Sequence, residues 1–181
     1  VSGINYGENV GTGVTISGTV GAALEAASHG IPALAMSLET GREHHFSYST
    51  EIDFSTAAYF TAYFARRLLE GQFPADVDVL KVDVPSKATQ QTPWRITHVA
   101  HQRYYVPVPP ERKSWDQAAG VDYTDAAILG DDVEGSDVHV LRVRREVSVR
   151  PLRLEHPGRH ERVLRRRGRC RDDLRERPQL P

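Results

Sequence analysis

The first forty residues alternate between short apolar runs and a glycine-rich polar stretch, a pattern typical of an α/β unit. Val1 to Ile4 reads as the end of a buried strand, and the glycines that follow it indicate a loop with exposed backbone. Apolar residues at helical spacing predict a helix over 19–29, ended by Gly30. The apolar run 33–38 predicts a second buried strand. The order strand, loop, helix, strand is the repeating element of α/β folds with parallel sheets.

The pattern continues with a longer helix and further strands. An apolar stripe predicts a helix over 55–70, and alternating residues predict a strand over 77–84. Three later apolar runs predict strands of a β-rich C-terminal extension, at 94–100, 103–108 and 138–149.

Composition narrows the class of protein. The 181 residues are 39% hydrophobic and 26% charged, which is typical of one soluble globular domain. No apolar run approaches the roughly 20 residues that span a bilayer, and no leader pattern precedes the first motif, so we expect a cytoplasmic protein without a membrane partner. The single cysteine, Cys170, excludes an internal disulfide framework and a CxxC metal site.

Charge divides the chain into two unlike parts. Residues 1–141 are acidic, whereas every basic residue in 142–181 is arginine and these arginines outnumber the acidic residues there. We therefore predict one domain over 1–154 and an Arg-rich tail over 155–181. Three interpretations of the tail stay open: a basic arm for nucleic acid, a solvated disordered segment, and GC-rich DNA translated out of frame.

The glycine-rich loop carries the candidate chemistry. Carboxamides and hydroxyls follow a strand's carboxyl end and precede a helix N-terminus, which is where open α/β sheets bind ligands. Unpaired N–H groups and the positive end of the helix dipole favour a phosphate there, with hydroxyls from Ser17 or Thr19 as further donors. A glycine-rich connection without a ligand is the competing interpretation.

Three known fingerprints fail on this loop. The P-loop needs a lysine, but Lys81 is the first lysine in the chain. The dinucleotide pattern fails because Gly11 and Gly13 are followed by a glycine at the wrong offset. Ser17 does not lie on a nucleophile elbow, since Thr15 occupies the position of the first glycine.

Four segments of the chain follow one another in a distinctive order and spacing. They are Val-Ser-Gly-Ile-Asn at 1–5, Gly7-x-Asn9-x-Gly11, Ser17-Gly18-Thr19-Val20-Gly21-Ala22-Ala23 and Gly30-Ile31-Pro32-Ala33-x-Ala35-x-Ser37-Leu38. Together they resemble the SurE family of metal-dependent 5'/3'-nucleotidases. A looser similarity continues to about residue 152, and the Arg-rich tail resembles nothing in the family.

This resemblance implies a fold, an activity and site residues. The fold is α/β and Rossmann-like, with three layers around a mostly parallel sheet, here truncated at its N-terminus. The activity is removal of phosphate from nucleoside monophosphates with a divalent cation, Mg²⁺ or Mn²⁺. Asn5 matches the family's asparagine metal ligand, and the phosphate-holding positions are matched by Asn9, Ser17, Gly18 and Thr19. The full-length parent is expected to form a homodimer or tetramer.

The family's other metal ligands, an Asp pair and a serine, correspond to positions upstream of Val1, so no catalytic residue is assigned to this chain. One amide oxygen does not hold Mg²⁺, which wants octahedral oxygen ligation with one or two carboxylates. We therefore expect the chain alone to be inactive, with an unpaired sheet edge and weak stability. A non-catalytic phosphate- or anion-binding module is the alternative, and nucleic acid is not an expected partner.

Overall fold

A computed structural model of the chain describes residues 1–45, 49–109, 111–117, 122–125 and 134–154. The Arg-rich tail predicted over 155–181 lies outside these residues. In chain order the elements are β1 (Ser2–Tyr6), a 3₁₀ helix (Gly11–Ile16), α1 (Gly18–Ser28), β2 (Ala33–Leu38), a short 3₁₀ helix (Arg42–His44), α2 (Ser55–Leu69), β3 (Val79–Val84), β4 (Trp94–Ile96), β5 (Tyr105–Val108), β6 (Asp122–Asp125), α3 (Asp137–Arg142) and β7 (Val147–Leu152).

The predicted strand–loop–helix–strand unit is confirmed, because β1 and β2 pair in parallel and α1 lies between them in the chain. Ser17 is extended and caps α1, its side chain accepting a hydrogen bond from the Val20 amide. Gly30, in the left-handed region at φ 77°, ends the helix. The predicted loop contains the 3₁₀ helix over 11–16.

The central sheet has the strand order β1-β2-β3-β7-β4. The pairings β1 with β2, β2 with β3, and β4 with β7 are parallel, and β7 runs antiparallel to β3. The carboxyl ends of β1, β2 and β3 therefore lie side by side, and this end of the strands is called the carboxyl edge of the sheet. Ligands bind at the carboxyl ends of the strands in open α/β sheets.

Helices cover both faces of this sheet, giving the expected three layers. Alternate residues of β2 point to opposite faces. Leu34 and Met36 pack in the cluster that includes Phe60 and Phe64 of α2, whereas Ala33 and Ala35 pack in a cluster with α1. Burial of both faces explains why β2 and β3 are buried along their whole length.

The strand predicted over 138–149 is wrong in its first half. Residues 137–142 form α3, and the strand begins only at Val147. The alternation that suggested a strand is overridden by a local cap, since Ser136 accepts a hydrogen bond from the His139 amide at the start of α3. Residues two apart point to different sides of a helix, and Val138 and Val140 are both buried because α3 is covered on more than one side.

Part of the predicted extension belongs to the central sheet instead. Among the described residues, the strands β5 and β6 form a separate antiparallel pair, whereas β4 and β7 belong to the central sheet. Of the run predicted as a strand over 94–100, only Trp94–Ile96 is strand, and the run over 103–108 becomes strand at Tyr105.

One edge of the sheet is open among the described residues, since β1 pairs there with β2 alone. An apolar groove of about 530 Å³ follows this edge, lined by Ile4 and Tyr6 of β1, by Phe54, and by Ala58 and Ala62 of α2. No helix in the described part of the chain is long and apolar enough to cross a membrane.

Candidate active site

Polar side chains occupy aligned positions on three neighbouring strands near their carboxyl ends. Asn5 of β1 pairs in register with Ser37 of β2, and Ser37 pairs with Asp83 of β3. Asn9, in the loop after β1, lies against this row. Its amide Nδ2 donates to Ser37 Oγ at 2.7 Å and its backbone N–H donates to Asp83 Oδ1 at 2.8 Å. The structure therefore brings Asn5 and Asn9 to the same edge of the sheet.

Asn5 is oriented by the turn that follows it. Its Nδ2 donates to the carbonyl oxygen of Gly7 at 2.8 Å. Gly7 takes a left-handed backbone conformation, and its N–H donates to the Leu38 carbonyl oxygen. The His45 ring lies where a Cβ on Gly7 would be. No hydrogen bond from the described residues reaches Asn5 Oδ1, so that oxygen is available as a ligand atom.

The N-terminus of α1 supplies the second part of the candidate site. Ser17 Oγ accepts from the Val20 amide at 3.2 Å, which leaves its hydroxyl proton for another acceptor. Gly18 is exposed and Thr19 half-buried, and their amides belong to the first turn, where no intrahelical acceptor exists. Among residues 1–45, no hydrogen bond joins this terminus to Asn5 or Asn9.

A buried ion cluster, not predicted from the sequence, underlies the loop. Lys81, Asp83 and Asp137 are completely buried. The Lys81 ammonium donates to the Asn9 carbonyl oxygen at 2.7 Å, to the Asp83 carboxylate and to Asp137 Oδ2 at 3.2 Å. Burial opposes the charge on Lys81, but the two carboxylates outweigh it and raise the pKa of the ammonium. Lys81 is therefore a cation at neutral pH.

Backbone amides complete the solvation of this cluster. Asp137 Oδ2 accepts from the Gly11 amide at 3.2 Å, while Asp137 Oδ1 accepts from the Ala100 amide at 3.0 Å and the Val138 amide at 2.9 Å. Such bonds offset the cost of removing carboxylates from water. The cluster thus holds the loop at both Asn9 and Gly11.

Two of the missed residues carry a sequence signal. Ser37 and Asp83 are polar residues near the carboxyl ends of otherwise apolar strands, and such a residue in a doubly covered strand needs a polar partner. Asp137 carries no such signal, because its partner Gly11 lies 126 residues away in the chain.

On its other side, the loop touches the β5–β6 pair. The Glu8 side chain is almost completely buried, and its Oε1 accepts from the Tyr105 hydroxyl at 2.8 Å. Burial raises the pKa of Glu8, and the nearby charge of Glu39 raises it further. The loop is thus held by β3 on one side and by β5 on the other.

The described residues do not by themselves form a divalent metal site. No group of three His, Cys, Asp or Glu side chains among them could hold an ion. Asp83 is unsuited as a ligand, because its two oxygens already bind Lys81 and the Asn9 amide. Since Mg²⁺ and Mn²⁺ favour several oxygen ligands including carboxylates, Asn5 Oδ1 alone is insufficient to hold either ion.

Comparison with known proteins agrees with this architecture. The family model described as Survival protein SurE matches residues 1–106. A 5'-nucleotidase SurE from Thermococcus gammatolerans is 41% identical over 160 residues, which are 88% of this chain and 59% of that protein. The corresponding protein from Thermococcus kodakarensis is 40% identical over 160 residues, 88% of this chain and 61% of that protein.

A solved structure shares the fold. The crystal structure of the SurE protein from Aquifex aeolicus superposes with a TM-score of 0.60 at 25% identity, covering 90% of this chain and 61% of that one. The chain thus spans between 59% and 61% of the length of these relatives. A family model over more than half of the chain, close relatives and a common sheet architecture lead to one conclusion: the chain belongs to the SurE family.

Proposed function

We propose that the protein containing this chain is a metal-dependent phosphomonoesterase that hydrolyses nucleoside 5'(3')-monophosphates to nucleoside and phosphate. The observation that carries the proposal is the polar row of Asn5, Ser37 and Asp83, with Asn9 bound against it, at the carboxyl edge of the parallel strands. The name 5'-nucleotidase, which both Thermococcus relatives carry, agrees with that chemistry.

Each candidate residue has a role that its geometry allows. Asn5 offers Oδ1 to a cation, with Nδ2 held by the Gly7 carbonyl oxygen. Ser17 offers its hydroxyl proton to a phosphate oxygen, and the first-turn amides of Gly18 and Thr19 add two donors and the positive end of the α1 dipole. Asn9 is the remaining phosphate-holding candidate. A bound Mg²⁺ or Mn²⁺ would neutralise phosphoryl charge and activate water.

The chain alone is proposed to be inactive, because Asn5 supplies one ligand where a hard cation wants about six. The remaining ligands are proposed to come from the part of the relatives that this chain does not span. Activity should therefore appear only when that part is present.

The test compares the chain with a version extended to the relatives' length, using p-nitrophenyl phosphate and adenosine 5'-monophosphate with Mn²⁺ or EDTA. We expect turnover only from the extended protein, and its loss with EDTA. Asn5→Ala should lower turnover by at least about 10- to 100-fold, because removal of a direct ligand should cost no less than removal of a ligand's hydrogen-bond partner. Gln90→Ala, which changes an exposed amide, is the matched control. Mn²⁺-dependent turnover by the chain alone, unaltered by Asn5→Ala, would contradict the proposal.

A second candidate is a non-catalytic anion-binding module. It is favoured because the described residues contain the whole N-terminus of α1 with its Ser17 cap, whereas they contain no group of side chains that could hold a metal. Calorimetric titration of the chain with inorganic phosphate separates the two functions. Phosphate binding that is indifferent to Mn²⁺ and EDTA, also in the extended protein, favours the module. Binding that requires Mn²⁺ in the extended protein favours the enzyme.

A further inference from the structure

The backbone of Asn9 is bound on both sides by buried charges. Its N–H donates to Asp83 Oδ1 at 2.8 Å, and its carbonyl oxygen accepts from Lys81 Nζ at 2.7 Å. Two residues further on, the Gly11 N–H donates to Asp137, which also binds Lys81. Three completely buried ionic side chains therefore determine the path of the loop from 9 to 11.

A buried ion cluster contributes little net free energy to folding, because the ions lose their hydration. Removing an ion from water costs several kcal/mol, and replacing buried ion pairs with apolar side chains of similar volume is often neutral or stabilising. Apolar side chains fill other buried positions of the same strand, since Val79 and Val82 of β3 are completely buried. Global stability therefore does not account for Lys81. Its hydrogen bond to the Asn9 carbonyl oxygen instead indicates that the cluster fixes the position of the loop.

We propose that Lys81 is a positioning residue, which acts with Asp83 and Asp137 to fix the peptide units of residues 9–11 and so present the Asn9 side chain to a phosphoryl group. The part of this statement that concerns phosphate rests on the proposed function. Lys81 itself does not touch a substrate, because it is completely buried and its ammonium is bound to protein oxygens.

The cluster explains why Asn9 has one orientation. With the backbone held on both sides, the Nδ2 donor reaches Ser37 Oγ at 2.7 Å. Without Lys81, the Asn9 carbonyl oxygen loses its donor, and Asp83 and Asp137 lose the cation between them. The two carboxylates then repel each other and the Asn9 carbonyl oxygen, so the peptide units of 9–11 are expected to shift and carry the Asn9 side chain out of the site.

The experiment uses the whole chain with Lys81→Met and, as matched control, Lys87→Met, which replaces an exposed lysine in the turn that follows β3. Amide hydrogen exchange and the Kd for inorganic phosphate are measured well below the melting temperature. We expect faster exchange confined to the amides of Asn9 and Gly11 and a Kd about tenfold weaker, corresponding to one charge-assisted hydrogen bond. The control is expected to match the wild type in both.

Because Lys81→Met leaves two uncompensated carboxylates, the double variant Lys81→Met with Asp83→Asn separates positioning from folding. An asparagine at 83 still offers an oxygen to the Asn9 amide and removes one charge. We expect the double variant to recover stability but not phosphate affinity. Recovery of wild-type affinity would overturn the proposal, and so would failure of the double variant to fold, since that would assign the cluster to global stability.

The exchange measurement keeps this proposal separate from the proposed function. If the wild-type chain does not bind phosphate, the metal-independent anion-binding module is contradicted, and the positioning role of Lys81 is judged from exchange alone. Faster exchange limited to 9–11 then supports the role of Lys81. Exchange that is unchanged, or that rises equally through β2 and β3, overturns it.

Discussion

The Glu39 carboxylate, which directly follows β2, is paired with two arginines. Its side chain is almost completely buried, and it binds Arg145 through both oxygens, at 2.9 and 2.8 Å. Arg142 and the Ser86 amide add hydrogen bonds of 2.8 and 2.9 Å. Burial opposes the charge of Glu39, but these bonds outweigh it and hold its pKa below the usual value of 4.5.

The substitution Glu39→Gln should therefore destabilise the protein in a pH-dependent way. A carboxyl whose folded pKa is lowered stabilises the fold above its unfolded pKa, and this contribution is lost as the pH falls through the folded value. We expect a loss of about 1–2 kcal/mol at pH 7, kept small by the partial exposure of both arginines. This loss should shrink as the pH falls below 4.5 and vanish once the pH lies below the lowered pKa of the folded state. Urea unfolding across this range measures it.

Glu51→Gln, at an exposed loop position, is the control for the change of net charge. If the difference in unfolding free energy between wild type and Glu39→Gln is the same in acid as at pH 7, the ion pairs of Glu39 do not cause that difference.

Residue by residue, local chemistry was predictable and long-range chemistry was not. The start of α1 follows from Ser17 and the glycines beside it, because capping involves neighbours in the chain. Asn5 could likewise be placed at a strand end. Lys81 could not be assigned, since its partners Asn9 and Asp137 lie 72 and 56 residues away and only the sheet brings them together.

At the scale of elements, α2 shows how one helix anchors the sheet. Phe64 is completely buried, and its ring meets the Trp94 ring edge-on at 5.5 Å between centroids. The apolar stripe along α2 made this helix predictable to within one residue of its observed end. The boundary between α3 and β7 was not predictable in the same way. The single run of alternating residues over 138–149 contains most of a short helix and the start of a strand.

Truncating Phe64 to alanine should therefore weaken the whole sheet. We expect a loss of about 3–5 kcal/mol in the free energy of unfolding, from lost transfer energy and the cavity left behind. Leu69→Ala, on the same helix but at a side chain 82% exposed, is expected to change stability by less than about 0.5 kcal/mol. Equal losses from the two variants, measured by urea unfolding, would contradict the packing described for α2.

At the scale of the whole molecule, one side of the central sheet is open among the described residues, where β1 pairs only with β2. The free side of β1 presents backbone donors and acceptors, and the groove between β1 and α2 is apolar. Natural proteins cover or charge such edges, because an uncovered edge pairs with other chains.

The isolated chain should therefore self-associate through this side of the sheet. We expect sedimentation velocity to show an average mass that rises with concentration, and Ala62→Glu to suppress the rise by placing a charge in the groove. Ala22→Glu, at an exposed position of α1, should leave it unchanged. A wild-type chain that stays monomeric, or equal suppression by both variants, would contradict this expectation.

Burial of Lys81 has a further practical consequence for the molecule. The chain has three lysines, of which Lys87 and Lys113 are exposed. An amine-reactive ester should acylate those two at once, whereas Lys81 should react only in molecules whose central sheet has opened. The rate at which Lys81 is acylated, followed by mass spectrometry of tryptic peptides, would then report how often the central sheet opens. The acylation of Lys87 and Lys113 provides an internal standard in every sample.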